Sequence, residues 1–127
     1  MSMERNQSLS ASTALSSSYA VLTLDGTPTG ARSLADRASL GLAELALTSI
    51  AGGATKVTWY VCRDANRDQP LTDEIETDIV VGSTAGAGGC AATFDGALLV
   101  STGGTIYIAA KLDAGTADAV ARISWAV

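Results

Sequence analysis

From residue 19 onward the chain alternates apolar and polar positions in short runs separated by turn-forming residues. A period of two places successive side chains on opposite faces, so each run predicts a strand with one buried face. Residues 19–24 are aromatic and β-branched and stop at Asp25-Gly26-Thr27-Pro28, a turn sequence. Residues 56–63 place Val57, Trp59 and Val61 on one face and Lys56, Thr58, Tyr60 and Cys62 on the other. Residues 76–81 predict a short strand with Ile79 and Val81 inward, followed by a flexible loop over the glycine-rich 82–89. In 91–100 the alternation is interrupted by Asp95-Gly96, which fits either a tight hairpin turn or a bulge. Residues 105–112 set Ile106 and Ile108 opposite Tyr107. The last run sets Ala119, Ala121, Ile123, Trp125 and Val127 against Arg122 and Ser124.

Residues 31–50 support two readings. Their Ala and Leu content favours helix, and Leu34, Ala38, Leu42, Leu45 and Ala46 share one helical face. Against that, Gly41 interrupts the segment, and Leu40/Leu42 and Leu45/Leu47 each alternate, with a phase slip between the pairs. A strand pair or a bulged strand explains the slip, and the surrounding strands favour β over 40–50, with a helical turn at 34–38 left open.

Seven or eight short strands with turns of Gly, Asp, Thr and Pro predict an all-β fold: a single antiparallel β-sandwich or jelly-roll-like domain over 18–127. Residues 1–17 are polar and low in complexity and predict a flexible N-terminal arm, able to order against a neighbour. No apolar run approaches the roughly 20 residues of a spanning helix, so no membrane partner is expected. Arg5 stands in an N-terminus without a continuous apolar core, which argues against a secretory signal.

Composition narrows the chemistry. The chain contains no histidine, which removes His-based acid–base catalysis, His-assisted nucleophiles and His-ligated zinc. The net charge of -5 disfavours a phosphate-backbone partner, so no nucleic-acid binding is expected. Ala, Gly, Ser and Thr make up 63 of the 127 residues, and only six are aromatic, too few for a sugar-stacking cleft. Cys62 and Cys90 form neither a CxxC site nor a disulfide scaffold and read as separate reduced thiols of a protein folded in a cytoplasm.

Three local features invite a site. Asp64, Asn66 and Asp68 match positions 1, 3 and 5 of a calcium loop, but Gln69 stands at the glycine position and Ile75 where a bidentate Glu is needed. The competing reading is a plain Asx-type turn, which the following Pro70 favours. The acidic set Asp64, Asp68, Asp73, Glu74, Glu76 and Asp78 reads as a solvated loop and edge strand rather than a catalytic pair. The glycines of 82–89 lack the Lys and Ser/Thr of a phosphate loop, since Cys90-Ala91 follows. No cofactor, catalytic residue or firm metal site is therefore expected, with Asp64, Asn66 and Asp68 as the calcium alternative.

The order Lys56-Val57-Thr58-Trp59-Tyr60-Val61, Arg63-Asp64 and Asp68-Gln69-Pro70-Leu71-Thr72 is followed by Gly104-Thr105-Ile106-Tyr107-Ile108 and Lys111-Leu112-Asp113-Ala114-Gly115-Thr116. The chain then closes on Ala121-Arg122-Ile123-Ser124-Trp125. Over 19–127 this resembles small all-β virion proteins of tailed bacteriophages, particularly head decoration or cement proteins. The resemblance implies a non-enzymatic homotrimer on the capsid surface that clamps the major capsid protein, or another virion protein, often through an N-terminal arm. It also implies synthesis in the cytoplasm of the host bacterium, and it brings no catalytic residues. The alternative expectation is a calcium-assisted β-sandwich module for glycans or a cell-surface receptor.

Overall fold

The computed structural model describes residues 6–24, 40–94 and 106–126. Within them the alternating runs form ten strands: β1 (Asn6–Leu9), β2 (Thr13–Leu15), β3 (Ala20–Leu24), β4 (Leu40–Ala51), β5 (Lys56–Cys62), β6 (Ile75–Asp78), β7 (Val80–Val81), β8 (Gly88–Phe94), β9 (Ile106–Leu112) and β10 (Thr116–Ala126). The first sheet runs β1-β10-β4-β8-β7, with β2 also on β10, and the second runs β3-β9-β5-β6; every pairing is antiparallel. If β1 and β2 count as one interrupted edge strand, and β7 as an extension beyond β8, two four-stranded sheets remain. Their order is that of a jelly roll, with the first and last strands adjacent.

One core lies between the sheets. The second sheet supplies Leu22, Leu24, Val57, Trp59, Val61, Ile106, Ile108 and Leu112, and the first supplies Leu15, Leu45, Leu47 and Ile123. Each is buried, and full burial of such a side chain is worth about 1.5–3 kcal/mol. Small residues make room for large ones across the ladders: Ala119 faces Leu47, Ala121 faces Leu45, Ala43 faces Ile123 and Ala110 faces Trp59. The alanine content thus serves the packing of a thin core. The Trp59 indole N–H donates to Thr77 Oγ1 at 2.9 Å, which satisfies the polar atom of a side chain only 1% exposed.

Several expectations hold. Val57, Trp59, Val61, Ile106, Ile108, Ala119, Ala121 and Ile123 all face the core, and residues 40–50 are strand rather than helix. Leu34–Ala38, Asp25–Pro28 and Asp95-Gly96 lie outside the described residues, as does the side chain of Trp125.

Others need correction. Residues 6–9 and 13–15 are not an arm outside the domain: they pair along β10, and Leu15 is 1% exposed. Ser10 bridges the break between them. Its N–H donates to the Ala121 carbonyl at 2.9 Å and its Oγ accepts the Ala121 N–H at 2.8 Å, so a hydroxyl replaces a carbonyl in the ladder. In β4 the inward residues are Ala43, Leu45 and Leu47 in unbroken alternation. The irregularity falls later, where Ser49 has a φ of 54° and the register with β10 shifts between Thr116 and Asp118. Residues 76–81 are not one strand. The chain crosses between sheets at Ile79, whose N–H donates to the Thr55 carbonyl, and Val81 points into solvent. Gly88 and Gly89 belong to β8 rather than to the preceding loop, because both pair with β4 and β7.

Candidate functional site

The Asp64 loop closes on itself. The Asp64 carboxylate accepts the N–H of Gln69 at 2.9 Å and of Asp68 at 3.1 Å, and the Arg63 N–H donates to the Gln69 carbonyl at 3.0 Å. Desolvation opposes ionisation of Asp64, but these backbone donors prevail and hold its carboxyl below the ordinary value. Both carboxylate oxygens thus serve the loop, accepting from backbone N–H groups four and five residues further on. No group of three His, Cys, Asp or Glu side chains is placed to hold a metal ion among the described residues.

The rest of the acidic set is dispersed. Glu74 accepts the Tyr19 hydroxyl at 2.7 Å, and Glu76 accepts from Lys56 Nζ at 3.2 Å on the solvent side of the second sheet. Cys62 and Cys90 are both free and buried, one on the outer side of the second sheet and one in the core. Burial, and next the Asp64 charge, push the Cys62 thiol up to about 11, and burial raises Cys90 as well.

The second sheet carries a packed layer on its outer face. Tyr60, Cys62 and Ala109 are buried there beneath Tyr19 and Tyr107. Tyr19 meets Tyr60 edge to face at 5.4 Å, with Arg67 and Lys111 at 4.8 and 4.7 Å from its ring centroid. Burial first, and Glu74 second, keep the Tyr19 phenol protonated well above its ordinary range. Beside it a hollow of about 280 Å³ is lined by Tyr60, Pro70, Thr72, Asp73 and Glu74. All three tyrosines of the chain meet on this face, which alternation alone could not reveal, because it assigned the face to solvent.

The first sheet is built differently. Its outer face holds a groove of about 460 Å³ lined by Ala46, Gly89, Ala91, Val120 and Val80, with Glu44 and Arg122 at its margin. Arg122 Nη2 donates to both oxygens of Glu44, at 2.9 and 3.0 Å, across the β4–β10 register. The pair is partly solvated and contributes at most about 1 kcal/mol to folding. Val80 and Val81 are each 73% exposed.

No protein-family model matches the chain, and no curated protein does. The two outer faces therefore stand on their chemistry alone. The second sheet offers a tyrosine layer already covered by its own loops and cations. The first offers a more open groove of small side chains, edged by the exposed Val80 and the Glu44–Arg122 pair. The signal for this face was present in the sequence: Glu44 and Ala46 alternate with Leu45 and Leu47, and Val120 and Arg122 with Ala121 and Ile123.

Proposed function

We propose that this protein is a non-enzymatic structural component of a tailed-bacteriophage particle, a small jelly roll that self-associates and seats on the lattice of the major capsid protein. The observation that carries this reading is the outer face of the first sheet, where a groove is flanked by the exposed Val80. Apolar surface of this kind gains free energy when another protein surface covers it. The carboxylates of Asp64, Asp113, Glu44, Glu74 and Glu76 support the reading too, since each is engaged in a bond that holds the fold. The net charge of -5 favours solubility on a crowded particle surface and keeps the chain from packaged nucleic acid. The likeness of the sequence to capsid decoration proteins supplies the particle.

The test is sedimentation of the purified chain with mature capsid shells stripped of accessory proteins. The expected result is saturable co-sedimentation at a fixed ratio to the major capsid protein. A chain that stays in the supernatant at every concentration overturns the proposal.

A further inference from the structure

The hollow beside the tyrosine layer has a fixed frame and unused acceptors. Residues 70–74 are pinned to the end of β5: the Leu71 N–H donates to the Val61 carbonyl at 2.8 Å, and Thr72 Oγ1 accepts the Val61 N–H at 3.0 Å. The Tyr19 hydroxyl donates to Glu74 Oε1 at 2.7 Å and so holds this carboxylate in place, with its other oxygen unused. Asp73 lines the same hollow, and no Lys or Arg among the described residues comes within ion-pair distance of either acid. Arg67 and Lys111 are held over the Tyr19 ring and do not line the hollow. Tyr60 forms another wall. It is 8% exposed, and its hydroxyl has no hydrogen-bond partner among the described residues. A polar group so placed is satisfied by what enters the hollow.

We propose that this hollow seats a guanidinium group, the head of an arginine side chain presented by a partner protein. The Asp73 carboxylate, the second oxygen of Glu74 and the Tyr60 hydroxyl oxygen can all accept, so a ligand rich in donors fits them. A guanidinium carries five N–H donors in a planar fork and keeps its charge at every physiological pH. A bare metal ion is poorly served, because the described residues bring no third acidic ligand to these two. A sugar would need an open aromatic face for stacking, and the Tyr60 ring is buried. The volume of about 280 Å³ lies below the roughly 300–1,000 Å³ of sites for whole small molecules, and suits one side chain. This seat goes beyond the capsid reading and does not depend on it.

The test is a titration of the isotope-labelled chain with Nα-acetyl-arginine methylamide, followed by amide chemical shifts. Saturable shifts at residues 60 and 70–74 are expected at millimolar concentrations, and the neutral citrulline analogue is expected to bind at least about tenfold more weakly. Asp73→Asn and Glu74→Gln are each expected to raise Kd by about threefold to tenfold. Glutamine at position 74 still accepts from Tyr19, so the frame is kept. Tyr60→Phe removes only the hydroxyl, keeps the thermal melt and also weakens binding. Asp78→Asn removes an equal charge outside the hollow and leaves Kd unchanged, which separates the seat from general attraction to an acidic protein.

A probe that causes no saturable shift at the hollow, or a citrulline analogue or neutral monosaccharide that binds as well, overturns the proposal. So does a Tyr60→Phe chain with wild-type affinity, or acid variants that behave like Asp78→Asn. Sedimentation with capsid shells is a separate outcome: its failure removes the capsid role and leaves the seat standing.

Discussion

The backbones of Gly52 and Gly115 touch: a Cβ on Gly52 would lie 2.7 Å from the Cα of Gly115, and both residues have φ above +70°. The β4–β5 turn and the β9–β10 turn are pressed together here with no side chain between them. Gly115→Ala combines a disfavoured backbone conformation with overlap against backbone that cannot swing away. It is expected to cost about 2–4 kcal/mol, lowering Tm by roughly 10 °C or more. Gly53 has a φ of 84° but open space around it, so Gly53→Ala is expected to cost only about 1 kcal/mol. Thermal melts of the two variants check the contrast.

A few residues away, Asp113 ties the same turns together. Its carboxylate accepts the Thr55 hydroxyl, the Thr55 N–H at 2.9 Å and the Lys56 N–H at 3.0 Å. These donors, the Thr55 hydroxyl first, hold the carboxyl well below the ordinary range. A carboxyl depressed in the folded state stabilises above its unfolded value of about 3.9 and loses that contribution as pH falls towards the folded value. Urea midpoints of the wild type are therefore expected to drop steeply below about pH 4, and those of Asp113→Asn to start lower and fall less. Parallel curves for the two proteins would contradict this.

Thr77→Val removes the acceptor of the buried Trp59 indole N–H. An unsatisfied buried donor costs about 1–3 kcal/mol. In a Trp59→Phe background the same change is expected to cost much less, because no donor is left to orphan. A double-mutant cycle in urea measures the coupling.

The thiols of Cys62 and Cys90 are buried and raised, so both are expected to react slowly with a disulfide reagent in the native protein and rapidly in denaturant. Two thiols per chain in denaturant without reductant is the expected count. A count near zero would point to a disulfide.

Much of the fold was legible because in β5, β9 and β10 the inward positions carry large residues or an unbroken run of alanines. Alternation failed where residue size and burial part company. In β4 the inward position is the small Ala43, while Leu42 faces out half-exposed, so size suggested a slip that the backbone does not make. Residues 75–81 alternate straight through the sheet crossing, with no glycine or proline to mark it, and so Val81 looked like core. The polar N-terminal strands were hidden for another reason. An edge strand is held by its backbone, and Leu15 and Ser10 are its buried anchors. The site was the least legible part, since an exposed apolar face and a buried one read alike until the topology separates them.

β1 pairs with β10, the earliest of the described strands with the latest. The first sheet therefore cannot close on the ribosome until residue 126 has left the exit tunnel, and the N-terminal strands must wait for a partner made long after them. Folding governed by such distant pairings runs on a timescale of roughly milliseconds to seconds. During that wait the waiting strands are open to the same surface on a neighbouring chain, so the concentration of nascent chains sets how often the sheet closes on itself.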